Sequence, residues 1–468
     1  MTEFIVNPGQ RIQDFIDEAE PGDIIIVNPG TYDEPDITGP ALIRIDKPLT
    51  VRSSGGPEVT FLNGNSAEER NIVVEISAAN VVLEGFTITN PLYSGSAEAV
   101  GVRTRLIDQA VAPSDVEIRG NIIREIGTPA RQAIEGTYGI RTSAIERLRA
   151  ADNEITEIRH ASASAPAIGI SIEGTSQQQL ANDVTLADNR VYNIQAPSEE
   201  STAVAVKRET ANVFVRGNRI EAPEGGAANV KRGITTSPEV RGRVEIAVNT
   251  VKGATDAGMR LGSPAEQVVT RNRILENRIG IFVEATAVTP PVIQLNTFSG
   301  NEEWGLFNAS AVTVNAENNY WGPAGPNTPG GDDIGGPGPV EFIPFLRVPP
   351  GVPFVTTGPI ANLPSASRPI TQLYVVIENV SDTQETVRIE GYYLTDTQNL
   401  YALELNPLAP ESSPDSTITR TYYANFDLFE FRFFPSSDRV LISVWGLDAD
   451  GRLAGKRSLV NSELTRFS

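Results

Sequence analysis

The sequence predicts an all-β protein: a long parallel β-helix followed by a small β-sandwich. Three observations carry this. A short asparagine-marked unit recurs over residues 116–321, a glycine-led strand follows most copies, and longer alternating strands begin after residue 370.

The clearest copy of the unit is VEIRGNIIREI at residues 116–126. It returns as LRAADNEITEI (148–158), VTLADNRVYNI (184–194), VFVRGNRI (213–220) and VEIAVNTV (244–251). VVTRNRIL (268–275), VIQLNTF (292–298) and VNAENNYW (314–321) continue it. The marked residues are Asn121, Asn153, Asn189, Asn218, Asn249, Asn272, Asn296 and Asn319, spaced by 32, 36, 29, 31, 23, 24 and 23 residues. An earlier copy, VVLEGFTI (81–88), has Phe86 in that place. Asparagine suits a bend between two short strands because it tolerates a left-handed backbone and bonds nearby amides. Repeats of this length signal a solenoid. The asparagines read as structural, stacked coil on coil into a ladder.

The second mark is a small residue, usually glycine, that opens an alternating strand: YGIRTS at 138, IGISIEG at 168, RGITTS at 232, AGMRLGS at 257, IGIFVEA at 279 and WGLFNAS at 304. Two strand blocks per 23 residues, without a 3.6-residue period or a leucine repeat, describe one coil of a parallel β-helix.

The chain has 468 residues and a net charge of −21. That charge argues against nucleic acid as a partner, because no basic field exists to neutralise phosphates. No stretch is long and apolar enough to insert in a membrane. The absence of cysteine excludes disulfides and thiolate chemistry. The first residues, MTEFIVNPGQRIQDFIDEAEPGD, lack a basic start and a long apolar run, so no signal peptide is expected.

Near the N-terminus, Ile12, Phe15, Ile16 and Ala19 fall on one helical face, so residues 9–19 are expected to form a short helix over the open end of the solenoid. Strands around DIIIVNPGTYDE and KPLTVRSSGGPEVTFLNG follow. Ile12-Gln13, Phe15-Ile16, Pro21-Gly22-Asp23, Pro29-Gly30-Thr31-Tyr32, Lys47-Pro48-Leu49 and Asn63-Gly64 resemble the opening of right-handed parallel β-helix proteins of the pectin-lyase-like superfamily. NNYWGPAGP (318–326) resembles their final coil. The resemblance implies a right-handed, single-stranded helix over residues 1–345. It implies little about function, since this fold carries enzymes, adhesins and inert stalks.

The coils after Asn121 and Asn153 hold extra residues, including GTPARQAIEGT and RHASASAPA, which read as surface loops. Residues 346–370 read as a Pro/Gly-rich linker, and residues 371–468, with six or seven alternating strands, as a β-sandwich. Phe426, Phe429, Phe431 and Phe433 would form either its core or a subunit interface. VIENVSDTQETVRIEGYYL and YYANFDLFEFRFF resemble C-terminal modules of surface proteins from Gram-positive spore formers. That resemblance implies a protein made in the cytoplasm of the mother cell and deposited on the spore's outer layer.

Polysaccharide lyases and hydrolases need clustered carboxylates on one face. No such motif stands out, so no catalytic residue is assigned. The sole histidine, His160, reads as a solvated loop residue. Asp152 with Asp188, and Asp332 with Asp333, are weak cation candidates that fit turns better. No metal or other cofactor is expected. Arg119, Glu117, Arg141, Glu173, Arg216 and Glu245 read as cross-coil ion pairs.

Three functional readings stand. The leading one is a non-enzymatic surface or assembly protein, with the sandwich attaching it to other surface-layer proteins or to a second copy. The second is a polysaccharide-binding or polysaccharide-degrading protein, a lyase or hydrolase, that meets its glycan on the looped coils. The third is a phage tailspike-like adhesin.

Overall fold

The computed structural model describes the whole chain except residues 35–38, 66–68, 108–109, 129, 176–178, 198–199, 323–324, 347–348, 350–353, 358, 363–368, 382–383, 396–397, 436–438, 460–464 and 468. The chain divides into two units, Met1–Pro350 and Gly351–Ser468.

The first unit is a right-handed parallel β-helix. Each coil passes through three parallel sheets. Among the described residues these hold 13, 11 and 11 strands. Sheet 1 runs from Glu3–Val6 to Val340–Glu341, sheet 2 from Gly30–Tyr32 to Thr297–Ser299, and sheet 3 from Ala41–Ile45 to Ile334–Gly335. The inward positions stack in register. Val81, Val116, Leu148, Val184, Val213 and Val244 form one column of sheet 1, all buried. Full burial of each such side chain stabilises by about 1.5–3 kcal/mol.

The asparagine turn has a specific geometry. The left-handed residue is the one before each asparagine: Gly120 (φ 61°), Asp152 (56°), Asp188 (54°), Gly217 (66°), Val248 (61°), Arg271 (56°), Leu295 (59°) and Asn318 (58°). The asparagine itself turns inward and is almost fully buried. Its side chain, not its backbone freedom, is what the bend requires. Phe86 follows the same rule behind Gly85 (φ 80°), and its N–H donates to Asn121 Oδ1 at 3.0 Å.

Glycine opens the sheet 3 strands because successive coils approach closely there. A Cβ on Gly233 would sit 2.3 Å from the carbonyl oxygen of Gly258, and one on Gly280 would sit 2.3 Å from that of Gly305. No side chain fits that gap.

The N-terminal helix spans Ile12–Glu18 and buries Ile12 and Ile16 against the first coils. Its N-terminus is capped by Glu34, whose carboxylate accepts from the Ile12 N–H at 2.6 Å. At the far end Phe298 and Trp321 stack at 4.1 Å. Among the described residues no helix is long and apolar enough to cross a membrane.

The second unit packs two antiparallel sheets around one core. Its strands begin inside the stretch expected to be linker: Phe354–Thr356 and Ile360–Ala361 both pair with Leu428–Pro435. Much of the remaining stretch lies outside the described residues. The aromatic run is core rather than interface. Phe429, Phe431 and Phe433 are fully buried, and Phe426 packs against them between Tyr393 and Tyr401.

Candidate functional site

The expected asparagine series forms a continuous ladder. In each step from Asn121 to Asn296, the side-chain oxygen of the next asparagine accepts two bonds, from the backbone N–H and from Nδ2 of the one before. For Asn189 onto Asn218 these are 3.0 and 2.9 Å, and for Asn218 onto Asn249 they are 2.9 and 3.0 Å. A second ladder escaped the sequence reading. Asn277 donates twice to Asn301 Oδ1, and Asn301 Nδ2 donates to Asp332. Asp332 is therefore a buried terminus of this ladder, accepting also from the Gly300 N–H at 3.0 Å. Burial raises its carboxyl above the usual range, against the bonds from Asn301 and Gly300. Asp333 is exposed beside it, and Asp152 and Asp188 are exposed turn residues. No group of three or more possible His, Cys, Asp or Glu ligands exists among the described residues.

His160 is not solvated. It is 3% exposed, and both ring nitrogens are engaged. Nδ1 accepts from the Ser162 N–H at 3.0 Å, so Nε2 carries the proton and donates to the Glu135 carbonyl at 3.0 Å. Burial, then the nearby Arg131, hold its pKa below the ordinary value, which keeps the ring neutral. Arg131, also buried, donates to the carbonyls of Gly95, Ala97, Glu135 and Gly136. The two side chains fasten successive corner loops to the helix wall.

The chemistry of the unit gathers on the outer face of sheet 3. One outward row reads Arg103, Arg141, Ser171, Ala205, Thr235, Arg260, Phe282 and Phe307 in strict register. A second reads Val100, Tyr138, Ile168, Thr202 and Arg232. Its early members belong to a buried apolar strip outside the main core. The strip ends where Thr202 and Arg232 replace its aliphatic side chains.

At that switch a groove of about 500 Å³ opens, with a lining that reaches from Tyr138 to Glu284. It crosses six successive strands, or about 24 Å along the axis at the coil spacing of about 4.8 Å. Small side chains between Arg141 and Arg260 leave the space. The walls hold Lys207, Arg208, Arg232 and Arg260 together with Glu200, Glu239 and Glu284. Thr202, Thr235 and Ser237 add hydroxyls.

Every cation in the wall has a carboxylate. Lys207 meets Glu200 at 2.9 Å, Arg208 meets Glu173 at 3.1 Å, Arg232 meets Asp256 at 2.8 Å and Arg260 meets Glu284 at 2.8 Å. Burial would raise the Asp256 carboxyl, but hydrogen bonds and charge from Arg232 and Arg260 outweigh it and hold it below its usual value. Behind the groove, Glu98 binds Arg103 and Arg141, and Arg141 reaches Glu173 at 2.7 Å. Burial and the neighbouring Arg141 lower the Arg103 guanidinium to about 10, so it stays charged at neutral pH. Arg260 lies over the Phe282 ring at 4.8 Å, and Phe282 stacks on Phe307 at 5.3 Å. This column fixes the guanidinium at one end of the groove.

The expected cross-coil pairs form as well: Arg119 with Glu84, Glu117 with Arg149, Arg141 with Glu173, and Arg216 with Glu245. Glu98, Glu200, Arg232, Arg260 and Glu284 escaped the sequence reading. A signal existed for two of the outward positions. Arg260 and Phe282 each stand two residues after the strand-opening glycine, as Arg141 does.

A family model described as periplasmic copper-binding protein (NosD) matches residues 102–336, half of the chain. No curated protein matches. Similar solved structures include the A-module of the mannuronan C-5 epimerase AlgE6 of Azotobacter vinelandii, at 14% identity and a TM-score of 0.46, covering 71% of this chain and 94% of that one. The enzymatically active domain of bacteriophage CBA120 tailspike protein 2 gives 12% identity and a TM-score of 0.40, covering 98% and 76%. An alginate lyase from a Paenibacillus species gives 12% and 0.35, covering 73% and 99%. Likeness at this level carries nothing about activity.

Proposed function

The chain belongs to the NosD family, and we propose that it is a polysaccharide-binding β-helix protein whose ligand lies along the outer face of sheet 3. The observation that carries this is the groove itself, an open channel crossing six coils and lined by planar charged side chains and hydroxyls. A rigid channel of this length fits an extended polymer. Its chemistry is that of hydrogen bonding, with guanidinium donors and carboxylate acceptors side by side. An extended peptide would need free backbone groups at a sheet edge, whereas those of sheet 3 are spent on neighbouring coils.

Binding fits the geometry better than turnover. The groove carboxylates are engaged: Glu200 by Lys207, Glu284 by Arg260, and Glu239 by the Ser237 hydroxyl at 2.7 Å. Hydrolysis would call for two carboxyl groups disposed about a scissile bond. Burial of Phe429, Phe431 and Phe433 removes one argument for a purely structural role attached through the sandwich.

Copper, which the family description names, does not fit the residues present. Protein copper sites draw on imidazole, thiolate and thioether ligands. This chain has no cysteine, one histidine and two methionines. His160 is buried with both nitrogens bonded, and Met259 lies in the core.

The test is retention of the purified chain on a panel of immobilised neutral and acidic polysaccharides, beside the variant Thr235→Trp. Thr235 is partly exposed in the groove, so the indole fills the channel without touching the core. Retention of the wild type and its loss in the variant, at unchanged thermal unfolding, support the reading. Absence of retention on every polysaccharide overturns it.

A further inference from the structure

Resting on the polysaccharide reading, we infer that the ligand is an uncharged, hydroxyl-rich glycan rather than a polyuronate or another polyanion. The groove holds four cations, and each is already paired with a carboxylate of the chain. Lys207, Arg208, Arg232 and Arg260 are held by Glu200, Glu173, Asp256 and Glu284 at 2.8–3.1 Å. Arg260 also meets Asp256 at 3.2 Å.

Exchange of those partners would be unfavourable. The Glu173 side chain is only 6% exposed. A ligand carboxylate that drew Arg208 away would weaken the compensation of a nearly buried charge, a change that costs more than an exposed pair returns. The long-range field points the same way, since a chain of net charge −21 repels a polyanion.

The same wall suits hydroxyl groups. Each hydroxyl donates one hydrogen bond and accepts others. It can donate to a remaining lone pair of Glu284 or Glu200 and accept from the outer N–H of Arg208 or Arg260, with no ion pair broken. The coil spacing of about 4.8 Å is close to the length of one pyranose unit, so successive sugars would meet equivalent positions on successive coils.

The experiment compares affinity of the full chain for neutral polymers (unsubstituted xylan, mixed-linkage β-glucan, galactomannan) and for polyuronates (alginate, polygalacturonate), at 10 and 300 mM NaCl. The expected result is saturable binding to at least one neutral polymer, changing less than twofold with salt and lost in Thr235→Trp. Polyuronate binding should be at least tenfold weaker. Tight, steeply salt-dependent binding to a polyuronate, lost in Thr235→Trp, overturns the inference and leaves the polysaccharide reading standing. Binding to neither class removes both.

Discussion

Asn153 Oδ1 receives two bonds from Asn121, one from its backbone N–H and one from its side-chain Nδ2, each at 3.1 Å. One carbonyl oxygen thus satisfies two buried donors of the coil before it. The bend is stabilised by its neighbour, so the solenoid holds together as a chain of nearest-neighbour contacts.

Asn218 sits within this ladder and is fully buried. Asn218→Ala strips the acceptor from the Asn189 backbone N–H, which is left buried without a partner, and from Asn189 Nδ2, which keeps only its bond to the Ala150 carbonyl. Each such group costs about 1–3 kcal/mol. Denaturant unfolding of the β-helix should show a loss of about 3 kcal/mol, and hydrogen exchange should rise first at the Asn189 N–H. A loss below 0.5 kcal/mol, taken as the order of a neutral surface change, would show that the ladder is ornamental.

Val248 occupies the left-handed position of its turn, at φ 61°, and is 58% exposed. A β-branched residue is strained there, while equivalent turns use Asp152, Asp188 and Asn318. Val248→Asn should raise stability by about 1 kcal/mol. Gly233→Ala should act oppositely, since its Cβ meets the Gly258 carbonyl. Melting temperatures of the two variants should move in opposite directions.

Glu34 gives a pH signature. Burial raises its carboxyl to about 7, against the opposing hydrogen bond from Ile12 and the charge of Arg11. In the unfolded chain it titrates near 4.5. Between these values the folded state binds more protons, so the Glu34 contribution to stability is full below pH 4.5 and is lost as pH rises through 7. The loss is on the order of 3 kcal/mol. Glu34→Gln keeps an acceptor for the Ile12 N–H and should flatten this slope, leaving the variant more stable than wild type at pH 8. Parallel curves for the two proteins from pH 4 to 8 would contradict it.

Copper uptake should be absent. After incubation with Cu²⁺, or with Cu⁺ under reducing conditions, and desalting, metal analysis should find far less than one copper per chain. Stoichiometric copper that survives desalting would mean that exposed carboxylates or backbone groups bind it in place of imidazole and sulfur ligands.

The coil path was legible because its markers repeat. Asn121 to Asn319 recur beside alternating strands, and Gly233, Gly258 and Gly280 mark where backbones touch. The left-handed residue was misplaced by one, because asparagine's tolerance for that conformation hid the heavier demand on its side chain. The groove was not legible as a site. Glu173, Arg208, Arg232 and Glu284 lie in different coils, and only the sheet 3 register brings them together. His160 was misjudged because its loop is small and polar in sequence, yet Arg131 and Glu135 draw it down onto the wall. Phe429, Phe431 and Phe433 alternate as core residues do, but the sheet that covers them is assembled from strands on both sides of the run, Gln372–Asn379, Thr417–Tyr423 and Val440–Leu447, and the run by itself does not show that pairing.

The most direct measurement is a crystal structure of the chain soaked with a neutral oligosaccharide from the polymer it retains best. Density for consecutive sugar rings is expected along sheet 3 between Tyr138 and Glu284, with hydroxyls bonded to Arg208, Arg260 or Glu284. Sugar density confined to another face, with this groove holding only water, would contradict the assignment.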